Sequence, residues 1–285
     1  MAWFGSVYSE GGGGGGLKIV TWADGSPEEI AAMLEAHYAG QIDIHDYWAV
    51  GDERKVILGA ISQNATDIGA NSDVQVISLV LMNEGGMDLT ESIGSVSECA
   101  FIVGQKNVLG NGKLICRGCT NNSSSWSNTL EWSQSDIRTW ANTNYYNALP
   151  NEIKNILKQV KVISSSINNT DYVSNDYITF PTEKNVWGTV TQSRTNTTEA
   201  SLPQFEYYET STNRIKSIGT SGYYSEQQYS GMVYYITRSI EMQSYRNFGF
   251  VASQSNGNLT TPQTPSAGYM SSNNNDASFA PIMAI

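Results

Sequence analysis

Val74-Gln-Val-Ile-Ser-Leu-Val-Leu-Met82 holds six β-branched or leucine side chains in nine residues and no glycine, proline or charge. A short apolar run of this kind reads as a buried strand. Cys99-Ala-Phe-Ile-Val103 reads the same way, and Tyr47 to Leu58 reads as a turn leading into a strand. Upstream the period changes. Ser26-Pro27-Glu28-Glu29 carries an N-cap serine, a proline in the first turn and the glutamate of a capping box. Ile30, Met33, Leu34 and Tyr38 follow on one helical face, and Gly40 stops the helix. Further on, Ser133 to Trp140 opens a helix with Ile137, Trp140, Ala141 and Tyr145 on one face. Pro150 ends it and starts another, through Ile153, Ile156, Leu157 and Val160. After Lys161 the pattern is short strands and turns. Helices and strands that follow one another without βαβ alternation predict an α+β fold, with small antiparallel sheets, a few helices and long loops.

Composition narrows the function. The chain has 285 residues, 40% hydrophobic and 15% charged, so it has apolar surface enough for a core. With a net charge of −11 and 16 Lys+Arg it lacks the clustered cations that nucleic acid or an anionic membrane surface requires. No run of 18 apolar residues predicts a membrane span, and Met1 to Glu10 has neither the basic nor the apolar region of a signal peptide.

Chemistry is hard to assemble from these residues. Cys116-Arg-Gly-Cys119 has metal-like spacing, but structural zinc needs four ligands and Cys99 adds only a third. His37 and His45 are the two histidines, both near the N-terminus, and no Gly-x-Ser-x-Gly elbow occurs. Asp52, Glu53, Glu131, Asp136, Asp171 and Asp176 are candidates by identity alone for a glycoside-cleaving pair of carboxylates. No cofactor, metal or catalytic residue is expected.

The two ends stand out. Trp3, Phe4, Val7 and Tyr8 lie in a segment too short for its own core, before Gly11 to Gly16. The glycines read either as a hinge or as part of an arm that docks on another chain. Residues 221–285 hold 7 Tyr, 11 Ser and 6 Asn against 5 charged residues and no Lys. Tyr, Ser, Gly and Asn serve recognition loops well, although a polar β-rich domain end gives the same composition. Tyr245, Arg246 and Tyr269 are the expected anchors, with Asn247 and Asn273, Asn274 and Asn275 as polar contacts. Arg238 reads either as an arginine buried against loop carbonyls or as a contact to a sugar or carboxylate.

Several segments carry a resemblance. Leu17 to Ile30, Tyr47 to Val56, Ser133 to Asn142, Asn151 to Leu157, Phe180-Pro-Thr-Glu-Lys-Asn-Val-Trp-Gly188 and Phe205 to Thr210 resemble, in order, an uncharacterised family from phages and prophages of gut Firmicutes. That family's C-terminal part is similar to C-type-lectin-like folds. Tyr234-Tyr-Ile-Thr-Arg-Ser-Ile240 departs from the family's Trp-Trp-x-Arg-Ser-Pro pattern, and Ala280 to Ile285 from its closing segment. The resemblance implies an arm with a glycine-rich hinge (1–16), a helical connector (17–45) and a lectin-like domain (46–285). It implies a non-enzymatic virion protein of the tail-fibre or tail-tip type. The arm would contact other virion proteins, the C-terminal loops a glycan or protein receptor on the host, and the chain would form homo-oligomers. Ser271 to Asn275 reads as an ordinary polar loop or as a target of adenine-directed diversification. The alternative is a capsid decoration or head-fibre protein, for which the arm matters more than the loops.

Overall fold

A computed structural model describes residues 16–61, 75–106, 131–165, 170–190, 198–214, 233–240, 248–253, 277–278 and 281–285. Helix α1 (Pro27–Tyr38) begins at the Ser26 capping box, where the Ser26 side chain accepts from Glu29 N and the Glu29 carboxylate from Ser26 N. Its face of Ile30, Met33, Leu34 and Tyr38 is buried. Strands β1 (Glu53–Leu58), β2 (Gln75–Glu84), β3 (Asp88–Ile93), β4 (Val96–Glu98) and β5 (Phe101–Gln105) follow. Next come α2 (Asp136–Trp140), a π turn over Ala141–Tyr145, α3 (Tyr146–Ala148) and α4 (Asn151–Lys154). Then β6 (Val160–Ser165), β7 (Asp171–Asp176) and β8 (Ile178–Thr179) lead to α5 (Glu183–Trp187) and α6 (Glu206–Glu209). Strands β9 (Val233–Ile240), β10 (Phe248–Ser253), β11 (Ala277–Ser278) and β12 (Ile282–Ala284) close the order.

The fold is α+β. Among the described residues there are three sheets, in the orders β1-β2-β5-β12-β8, β4-β3-β6-β7 and β10-β9-β11. The first two pair antiparallel throughout; in the third, β11 runs parallel to β9. Of the run that opened the reading, Gln75 to Met82 falls in β2, with Leu79, Val80, Leu81 and Met82 buried. The last strand is inserted between β5 and β8, so its backbone is paired on both sides.

One buried cluster runs from Trp22 and Ile30 through the sheets to Ile285. The stretch 17–45 is therefore part of this core. Trp22 and Trp48 pack with ring centroids 5.5 Å apart, and Trp48 Nε1 donates to the Val20 carbonyl at 2.8 Å. Tyr38 joins α1 to the last strand. Its hydroxyl donates to the Ile285 carbonyl at 3.0 Å and accepts from Ala100 N at 2.9 Å.

The helix expected through Val160 is shorter. It ends after Lys154, because Lys158 N donates to the Ala284 carbonyl and draws the chain onto the sheet. The β-branched Val160, Val162 and Ile163 then suit a strand, and Val160, Val162 and Ser164 face inward at the strand's period of two. The Ser133 helix starts, as the actual α2, at Asp136 and is broken by the π turn, yet Ile137, Trp140, Ala141 and Tyr145 are all buried.

Candidate functional site

Tyr245, Arg246, Asn247, Tyr269, Asn273, Asn274 and Asn275 lie outside the described residues, as do Trp3, Phe4, Val7, Tyr8, Cys116 and Cys119. The strands that flank the C-terminal stretches are described, and their register locates the roots. Phe248 pairs with Ile240, Ser253 with Val233, and Ala277 with Tyr234. The connection 241–247 is thus rooted at the Ile240 end of β9. The stretch 254–276 leaves and re-enters the sheet at the Val233 end. These ends are seven residues apart, about 23 Å at the usual strand rise. Tyr245 to Asn247 and Tyr269 to Asn275 therefore belong to connections anchored at opposite ends of one strand.

What fixes β9 is a segment singled out in the sequence, Phe180 to Gly188. Arg238 N donates to the Pro181 carbonyl at 3.0 Å, and Arg238 Nη1 to the Phe180 carbonyl at 2.7 Å. Glu183 N donates to Ser239 Oγ at 3.0 Å. Thr182 and Asn185 form a capping box at the start of α5, and Gly188 ends it at φ 71°, a left-handed conformation that glycine adopts without strain. Arg238 is 2% exposed and sits among carbonyls, with Ile163 O 3.4 Å from Nε.

Around Arg238 lies a buried polar cluster. Glu199, in the 3-10 turn Thr198–Ser201, has Oε1 3.9 Å from Arg238 Nε and accepts from Ser165 N at 3.3 Å. Asp171 accepts from Ser165 Oγ and from Thr198 Oγ1. Burial pushes the Glu199 carboxyl up to about 7, against the opposing pull of Arg238 and with help from the negative Asp171. Nothing local in Thr-Glu-Ala-Ser201 distinguishes Glu199 from a surface glutamate, so the sequence reading missed it.

The remaining carboxylates have structural partners. Glu131 is fully buried and accepts from Ser133 N, Ser133 Oγ and Ser164 Oγ. Asp176, 1% exposed, accepts from Trp132 Nε1, Arg138 Nε and Ser174 Oγ, each at 2.7 Å. Asp52 accepts from Ala49 N in a turn, and Glu53 pairs with Lys106. The Asp136 side chain lies outside the described set. Three hydrogen bonds to each of Glu131 and Asp176 occupy three of the roughly four lone-pair sites of a carboxylate.

The histidines form a small cluster beside β5. His37 Nδ1 accepts from Ile44 N at 3.3 Å, and the two rings meet edge to face with centroids 5.3 Å apart. His45 reaches Asp43 Oδ1 at 2.7 Å and the Ala100 carbonyl at 3.0 Å. Burial and the neighbouring His45 hold His37 below the usual imidazole range. Cys99 is buried, which pushes its thiol up to about 12 and leaves it unreactive as a nucleophile. Among the described residues no group of three or more His, Cys, Asp or Glu could hold a metal ion, and no helix is long and apolar enough to cross a membrane.

No family model, no curated protein and no solved structure matches this chain.

Proposed function

We propose that this chain is a non-enzymatic phage virion protein of the tail-fibre or tail-tip type, with a C-type-lectin-like scaffold that carries a host-recognition surface in its C-terminal third. The observation that supports this most is how β9 and β12 are anchored. Arg238, Ser239 and the Phe180–Glu183 backbone bind β9 to the body of the protein. The last strand is buried and paired on both sides. A rigid frame of this kind suits long polar stretches that contact a partner, because binding energy is not spent on ordering the frame. The composition of 221–285, rich in Tyr, Ser and Asn, suits aromatic stacking on a glycan or protein surface.

The proposed contacts divide into two groups, Tyr245 to Asn247 and Tyr269 to Asn275, rooted at opposite ends of β9. Weak individual sites gain avidity when copies are linked, so a homo-oligomer is part of the proposal, with Trp3, Phe4, Val7 and Tyr8 contacting other virion proteins.

The test is adsorption of phage carrying Tyr245→Ala or Tyr269→Ala to host cells. Each is expected to lower adsorption about tenfold, equivalent to about 1.4 kcal/mol per anchor, with particle assembly intact. Parental adsorption by every alanine replacement across 245–247 and 269–275 overturns the receptor-binding reading. Lost assembly with unchanged adsorption per particle favours the capsid-decoration alternative instead.

A further inference from the structure

We infer that Glu199 and Arg238 form a proton-operated clamp that fastens β9 to β6 and to the 198–201 turn, tight when the carboxyl is neutral and loosened when it ionises. The clamp is independent of what the C-terminal stretches bind.

The geometry comes first. Arg238 is buried, and its guanidinium is held by two backbone carbonyls from different parts of the chain, Phe180 O before α5 and Ile163 O on β6. Glu199 is 5% exposed and its Oε1 stands 3.9 Å from Arg238 Nε, beyond hydrogen-bond distance. A contact of that length leaves the carboxylate with Coulomb attraction but without the bidentate bonds that make buried pairs favourable. Its other partners are Ser165 N, at 3.3 Å, and the Ser239 side chain. An ionised carboxylate in this position has surrendered its hydration for one long backbone bond, a hydroxyl and an unbonded guanidinium.

The surroundings add to the imbalance. From β7, Asp171 presents a second negative charge, itself held by Ser165 Oγ and Thr198 Oγ1. Asp176, also on β7, acts on Arg238 and shares its positive field. From α5, which packs beside the turn, Glu183 is buried and Lys184 is committed to the Gly188 carbonyl at 2.6 Å. Arg238 is thus the one positive charge among the described residues within 4 Å of Glu199, and two acids compete for it. Burial dominates, and the carboxyl titrates at about 7 in place of its ordinary 4.5.

The direction follows from linkage. The folded state holds the proton over a range in which the unfolded chain has already lost it. The stabilisation is fully present below pH 4.5 and is lost as pH rises through about 7. From this group alone, the unfolding equilibrium constant rises on the order of thirtyfold between pH 5.5 and pH 8. The consequence is local. The 3-10 turn follows residues 191–197, and β9 joins 215–232 to 241–247, so loosening acts on the frame from which those stretches depart.

The experiment is equilibrium urea unfolding of the full chain at pH 5.5, 6.5, 7.5 and 8.5, with Glu199→Gln beside wild type. The amide keeps the shape and is neutral at every pH. Wild type is expected to lose stability relative to Glu199→Gln by on the order of thirtyfold in the unfolding constant between pH 5.5 and pH 8.5, the two converging only below pH 4.5. His37 and His45 are common to both proteins and cancel in the difference. Asp171→Asn, which removes the competing charge, is expected to move the midpoint to lower pH. A parallel pH dependence in Glu199→Gln, or a Glu199→Gln protein less stable than wild type at pH 8.5, overturns the clamp. Should the variants not fold, infrared difference spectra of wild type decide. A protonated carboxyl band persisting at pH 6.5 supports the clamp, and its disappearance by pH 5.5 refutes it.

Discussion

Replacing Tyr38 by Phe removes one oxygen from the junction between α1, β5 and the last strand, and the structure sets what that costs. The ring stays: it is buried, with the Lys158 ammonium 5.1 Å from its centroid. Burial holds the phenol protonated, far above its ordinary range, so the hydroxyl is a donor throughout the accessible pH range. It donates to the Ile285 carbonyl at 3.0 Å and accepts from Ala100 N at 2.9 Å. Neither partner is orphaned by the change. Ala100 N also donates to the Ile285 carbonyl at 2.9 Å, and that carbonyl further accepts from Phe101 N at 3.2 Å. The full penalty for an unsatisfied buried group therefore does not apply. About 1 to 1.5 kcal/mol is expected, the net worth of a buried hydrogen bond. For a chain of this length that is about 2 °C in Tm, so urea unfolding is the better assay. A loss above about 3 kcal/mol refutes the claim that the backbone bonds suffice, and no loss refutes the claim that Tyr38 fastens the last strand.

A methyl group at Gly104, on β5, would lie 2.2 Å from Met82 Sδ and 3.2 Å from Ile282 Cγ2. With Met82 fully buried, Gly104→Ala is expected to cost about 1 to 3 kcal/mol by overpacking, measured by the same unfolding curves; an unchanged midpoint contradicts the packing argument. His37 is a base held below its ordinary range, so its contribution is present above pH 6.5 and is lost as pH falls towards its lower folded value. Nitrogen-15 NMR is expected to find His37 titrating at a pH under 6.5, and His37→Gln to flatten the acid limb of stability; titration of His37 above 6.5 refutes this.

Much of the frame was legible because its signals are local. The Ser26 capping box, the apolar face of α1 and the β2 run depend on neighbours within a few residues, and each appears in the structure. The reading failed where a distant partner intervened. Ile153 to Val160 has helical spacing, but the Lys158–Ala284 bridge, 126 residues apart in sequence, turns that chain into a strand. The expected recognition residues lie beyond the described set, yet the register of β9 assigns their connections to opposite ends of a strand. No sequence spacing conveys that, since a strand's neighbours are chosen by pairing and not by order.

By itself the sequence determined the α+β class, the capped start of α1, the β2 run and the buried faces of α1 and of the Ser133 helix, and it left Arg238 open between burial among carbonyls and a ligand contact. Those follow from backbone capping, side-chain shape and hydrophobic period, which act over one or two turns. Only the tertiary structure decided that the last strand lies between β5 and β8, and that Glu199 loses its water beside Arg238. A glutamate's burial depends on what the rest of the chain stacks over it, and its proton affinity depends on that burial. The same residue in the same local sequence, left on the surface, would be an ordinary carboxylate.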